Sequence, residues 1–107
     1  MLNFFYIFKN LNFTIMEVSA YKTIEKEAVS SLSFHKEIEV EQHADLRRQL
    51  EQATRLGNGY HSKVSIYFHD DEGPKRVETT IWATGSKYIC LKGGVWIPID
   101  HIVEVKY

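Results

Sequence analysis

The sequence predicts an α+β domain in which a charged N-terminal amphipathic helix is followed by about five short antiparallel strands that curl into a small β-barrel. Three observations carry this reading. Apolar residues from Phe34 to Leu56 recur at helical spacing, the hydrophobic period switches to two at Val64, and turn-forming residues then interrupt the chain at short intervals.

Length and charge bound the possibilities. A chain of 107 residues is the size of one small domain with one modest core. Apolar residues at 44% and charged residues at 25% match ordinary globular usage and exclude collagen-like or disulfide-scaffold chains. Thirteen Lys and Arg against fourteen Asp and Glu leave a formal charge of −1, so the chain as a whole lacks the field of a general nucleic-acid coat. Residues 17–56 carry eight acids and six bases, and residues 57–107 carry six of each. Cys90 is the only cysteine; a lone thiol makes neither an internal disulfide nor a four-sulfur zinc site, and a reducing, cytoplasmic setting fits it.

The N-terminal arm spans residues 1–33, and the helix with its strands spans 34–107. Met1 to Ile15 is apolar but interrupted by Asn3, Lys9, Asn10 and Asn12, too short a run to span a bilayer and without the parts of a secretory signal. Its residue types are encoded by A/T-rich codons, and ordinary composition begins at Met16, so translation is expected to start there, the alternative being a membrane-surface segment over residues 1–15. Residues 17–33 have weak helical periodicity through Val18, Tyr21, Ile24 and Ala28 and read as a short helix or irregular arm.

The main helix is expected over about 35–56, with Ser33 as N-cap, Gly57 at C′, and Phe34, Ile38, Leu46, Leu50, Ala53 and Leu56 on one face. Gln49 is expected in solvent. The competing reading is an extended Glu37–Glu41, where Ile38 and Val40 alternate with glutamates. In the first strand Val64, Ile66 and Phe68 alternate with Ser65, Tyr67 and His69. Asp70 to Pro74 is a loop by turn chemistry. A second strand places Val77, Thr79, Ile81 and Ala83 on one face and Glu78, Thr80 and Trp82 on the other. Lys87–Leu91 is the third strand, and Gly93-Gly94 supplies the positive φ of a hairpin. Val95, Ile97 and Ile99 face inward on the fourth, with Trp96 and Pro98 outward. Asp100-His101 is a sharp turn, readable as one turn of 3₁₀ helix, before a last strand over 102–105.

The succession of an acidic helix, a strand ending in Asp71-Glu72-Gly73, Lys87-Tyr88-Ile89-Cys90-Leu91, a Gly turn, and the run from Ile97 to Val105 resembles the Sm-like small barrels, an SH3-like architecture. Among them it is most similar to the Rof family of Rho-binding antiterminators, which carry a helix before the barrel. The likeness covers roughly residues 42–106, with Pro98 and the tryptophan-bearing second strand as departures. It implies a small-barrel fold and a role in binding a partner protein or RNA; no Rho-contacting position is matched.

Catalytic and metal readings have little to stand on. His69-Asp70-Asp71-Glu72 has metal-type donors but not the spacing of a Ca²⁺ loop. His35, His43, His61, His69 and His101 form no HExxH or zinc-finger spacing, and Cys90 has no base beside it in sequence. No enzyme, cofactor or metal is expected. What remains is a set of large residues that strand parity turns outward. Tyr67, Trp82 and Trp96, with Lys63, Arg76 and Lys92 near them, form the expected binding surface, since large exposed aromatics usually have a cover. That cover is the chain's own helix or arm, a protein partner or second copy, or single-stranded RNA stacked on the rings. A protein partner or homo-oligomer is the leading functional expectation, a single-stranded RNA-binding barrel the alternative, and no membrane or small-molecule partner is evident.

Overall fold

The computed structural model describes residues 20–107; the expected start at Met16 lies outside them. The architecture is mixed α+β. In chain order the elements are β1 (Lys22–Ile24), a 3₁₀ helix (Lys26–Ser31), α1 (Leu46–Tyr60), β2 (Val64–Asp70), β3 (Gly73–Thr79), β4 (Ile81–Thr84), β5 (Tyr88–Leu91), β6 (Val95–Pro98), a second 3₁₀ turn (Ile99–His101) and β7 (Ile102–Lys106). No described helix is long and apolar enough to cross a membrane.

The strands fall into two sheets, in the orders β1-β3-β2-β7 and β4-β5-β6, and among the described residues no barrel closes. The expected second strand is where the sheets part. Val77 and Thr79 pair with Ile66 and Val64 of β2, whereas Ile81 pairs with Leu91 of β5. Thr80 between them gives its carbonyl to the Lys92 N–H at 2.9 Å, so one expected strand becomes two. Closure would also need β7 to pair with β6, but the outer edge of β7 is taken. The His43 N–H donates to the Val103 carbonyl at 2.9 Å, and the Val105 N–H donates to Gln49 Oε1 at 3.3 Å. Side chain and main chain of 43–49 thus protect an edge that a barrel would have paired. Gln49, expected in solvent, is a half-buried cap on that edge.

The helix is shorter at its start than expected and longer at its end. The segment before it is held by distant partners: the His43 N–H, which a helix starting at 35 would give to the Glu39 carbonyl, goes to the Val103 carbonyl of β7, and the Asp71 carboxylate accepts the Lys36 N–H at 2.8 Å and the His35 N–H at 3.2 Å. Gln42 Nε2 donates to the carbonyls of Ile99 and Ile102 at 2.8 and 2.9 Å. Residues 34–45 therefore run outside regular structure, with Ile38 and Val40 half-buried and Glu37, Glu39 and Glu41 exposed, the alternation that the competing reading contained. Asp45 takes the N-cap position. At the other end the helix runs through Gly57 to Tyr60, and His61 adopts the left-handed conformation at φ 56°.

Gly57 is helical for a packing reason. A Cβ there would lie 2.4 Å from the Ile81 carbonyl oxygen and 2.9 Å from Thr80 Cγ2, so only glycine lets α1 come this close to β4. Gly93 and Gly94 take the expected positive φ, 95° and 80°.

One core joins the layers. Leu46, Leu50 and Ala53 of α1 pack against Ile66, Phe68, Val77, Ile81, Ile89, Leu91, Ile97 and Ile102, with Val29 of the first 3₁₀ helix in the same cluster. The arm is thus built into the fold, and β1 adds a parallel edge strand to β3. Asp70 to Pro74 is tighter than the expected loop: β2 runs to Asp70 and β3 begins at Gly73. The Asp70 carboxylate, almost wholly buried, accepts the Lys75 ammonium at 2.9 Å and the N–H groups of Glu72 and Gly73.

Candidate interaction face

Strand pairing places one set of side chains on the outer face of the three-stranded sheet. Ala83 pairs with Cys90 and Cys90 with Trp96, while Tyr88 pairs with Pro98. Ala83, Cys90 and Trp96 make one lateral row, and Tyr88 and Pro98 the next, roughly 7 Å along the strands. The alternate residues Ile81, Ile89, Leu91 and Ile97 are at most 1% exposed in the core beneath. A register irregularity between Ile81 and Ala83 adds one residue to β4, so that both Trp82 and Ala83 are exposed. Ala83 was expected to face inward; the bulge reverses its parity. Trp82, Tyr88 and Trp96 are 45%, 49% and 56% exposed, a concentration of aromatic surface that a soluble face does not need.

The residues expected to form one surface divide between the two sheets. Trp82, Trp96 and Lys92 belong to the three-stranded sheet or its β5–β6 turn. Tyr67 and Arg76 are paired neighbours on the four-stranded sheet, where Tyr67 is 8% exposed. The Tyr21 ring meets the Tyr67 ring edge-on at 5.3 Å, Val40 packs on the same cluster, and the Arg76 guanidinium and Lys106 ammonium lie 5.9 and 5.7 Å from the Tyr67 ring centre. Arg76 also donates to Ser65 Oγ at 2.7 Å and lies 3.7 Å from Glu78. The protein's own arm and the segment 34–45 therefore cover Tyr67. Lys63 is exposed one residue before β2, at the end where Val64 meets Thr79 and the sheets part. Tyr88 joins Trp82 and Trp96 on the outer face, and the alternation Tyr88, Ile89, Cys90, Leu91 is the signal for it in the sequence.

Basic groups frame the aromatic face. Lys87 and Lys92 stand at either end of β5, and among the described residues neither they nor Lys63 make an ion pair. Arg47 of α1 donates to the Gly85 carbonyl at 2.7 Å and the Ser86 carbonyl at 3.3 Å, which holds a guanidinium at the β4–β5 turn.

The histidines and carboxylates have structural partners. His101 Nδ1 lies 2.9 Å from the His69 carbonyl, and the Phe34 ring meets the His101 ring edge-on at 5.3 Å. Burial, reinforced by His101, holds the His69 imidazole below its ordinary pKa, and its Nε2 lies 3.3 Å from the Tyr21 hydroxyl. The Lys36 N–H bond is the main reason the Asp71 carboxyl sits below its usual value. Burial raises Glu104 instead, and its Oε2 is buried without a partner. Among the described residues no three such donors converge as they would around a metal ion. Cys90 is half-buried on the aromatic face, its thiol 3.6 Å from the Leu91 carbonyl.

Set against known protein families, curated proteins and solved structures, the chain matches none.

Proposed function

We propose that this chain is a non-enzymatic binding module that holds a partner protein on the outer face of β4-β5-β6, in a reducing, cytoplasmic setting where Cys90 stays a thiol. The observation that carries the reading is the exposure of Trp82, Tyr88 and Trp96 on a face whose opposite side is fully packed core. Tryptophan and tyrosine supply large contact area at little entropic cost and dominate interface energetics. The strand order also supports a small-barrel kinship: the sheet β7-β2-β3 passes through the single residue Thr80 into β4-β5-β6, and with β3 and β4 counted as one bent strand this is the order of a five-stranded small barrel left open between β6 and β7. The resemblance to Rof-type barrels points to the same class of role, a regulatory contact with another protein.

The test replaces both tryptophans with threonine, which keeps strand propensity and leaves the inward residues intact. Trp82→Thr with Trp96→Thr is expected to melt within a few degrees of wild type while losing the partner that wild type captures from native extract. A melting temperature lowered by more than ten degrees with capture unchanged would reassign the two rings to the protein's own packing.

A further inference from the structure

The total charge of −1 conceals a strong polarisation. From Thr79 to Asp100 the chain carries Lys87 and Lys92 against Asp100 alone, and α1 with its N-cap and the residues up to Lys63 adds Arg47, Arg48, Arg55 and Lys63 against Glu51 and Asp45, the latter paired with Arg48 at 3.0 Å. The rest of the described chain is acidic, with Glu37, Glu39 and Glu41 exposed on the segment 34–45. The three-stranded sheet and the helix beside it are therefore a basic unit within a neutral protein. Its outer face is apolar at the centre, where Trp82, Tyr88 and Trp96 are exposed, and cationic at both ends of β5.

We infer that the partner segment seated on this face is an acidic peptide with apolar anchors, its carboxylates meeting Lys87, Lys92 and Arg47 while its large side chains pack between Trp82, Tyr88 and Trp96. The inference rests on the proposed face and adds the chemistry of its occupant. An apolar centre with a charged rim is the anatomy of a protein interface, and unpaired lysines on the rim select a partner of opposite sign and speed its approach. A second copy of the chain is disfavoured, because a two-fold contact through this face would set lysine rims against each other. A long polyanion is disfavoured too. The field that draws nucleic acid over a distance is absent at a total charge of −1.

Selection of displayed random twelve-residue peptides on the immobilised full chain tests this, with a mixed-sequence twenty-nucleotide RNA measured alongside. Selected peptides should combine Asp and Glu with Trp, Phe or Leu. Their affinity should fall about a hundredfold or more in Trp82→Thr/Trp96→Thr, as two central tryptophans imply. It should fall about tenfold in Lys87→Glu/Lys92→Glu at low salt, with the difference shrinking as salt rises. Peptides that need the tryptophans but lack acids would overturn the partner chemistry and leave the face standing. Peptides indifferent to the tryptophan changes would overturn the face itself. Retention of the RNA, lost with the tryptophans and with salt, would overturn the protein partner in favour of nucleic acid, and retention of neither probe would overturn both readings.

Discussion

Gly57→Ala is a sharp perturbation because the structure leaves its new methyl group nowhere to go. The added Cβ would stand 2.4 Å from the Ile81 carbonyl oxygen, about 1 Å inside ordinary contact, so the nearest obstacle is main chain, with the Thr80 methyl beside it at 2.9 Å. To make room, α1 must lift from β4 near its last turn, which loosens the seating of Leu50 and Ala53 on the core. Overpacking of this kind costs ~1–3 kcal/mol, and with rigid main chain as the nearest obstacle the upper end applies. Alanine returns ~1 kcal/mol of helix propensity, which leaves a net loss of about 2 kcal/mol. For a domain of this size that lowers the melting temperature by roughly 8–16 °C. Gly59 is the internal control. It lies in the same helix, its added Cβ would meet nothing within 4 Å, and Gly59→Ala should gain ~0.5 kcal/mol, less than the full propensity difference because it lies one residue from the helix end. Thermal melts followed by circular dichroism, with urea titrations for the free energies, read both. A Gly57→Ala protein as stable as wild type, or shifts of equal sign at the two positions, would refute the close packing of α1 on β4.

Other expectations follow from the same packing. Leu50→Ala should cost ~2–5 kcal/mol in urea unfolding, since Leu50 is fully buried; Gln49→Ala should cost ~1–3 kcal/mol because it strands the Val105 N–H on the β7 edge. Lys75→Met should destabilise by ~3–5 kcal/mol, leaving the buried Asp70 carboxylate without its cation, and a second change of Asp70→Asn should recover part of that loss. Burial raises the Glu104 pKa, so the folded state favours its protonated form. Wild-type stability should therefore fall relative to Glu104→Gln as pH rises from the ordinary glutamate value toward neutrality, and the gap should close below it. A gap that is constant with pH would remove Glu104 as the cause.

The strands were legible because their code is local. Val64, Ile66 and Phe68, or Val95 and Ile97, announce a period of two, although the expected inward Ile99 falls in the 3₁₀ turn after β6, and Gly93-Gly94 announces its turn. The helix start was not legible, because what takes the His43 N–H from a helix is the Val103 carbonyl on the distant β7. The division of the second strand at Thr80 was hidden for the same reason, since it follows from the pairing of Ile81 with Leu91. Parity located Trp82 and Trp96 on the outside, but which outward rings stay uncovered depends on the arm. Tyr21 reaches Tyr67, and no described segment does the same for Trp96, which is 56% exposed. The charge polarisation was present in the sequence yet invisible until the sheets showed which segments share a side.

The chain has two tryptophans, and both are on the proposed face, so intrinsic tryptophan fluorescence reports on that face alone. Iodide quenching of the free protein, and again with a saturating acidic peptide from the selection, is the most direct test of the account. Ready quenching is expected in the free protein, then a blue shift and loss of quenching when the peptide binds. Tryptophans already shielded from iodide in the free protein, or a bound peptide that leaves their quenching unchanged, would contradict it.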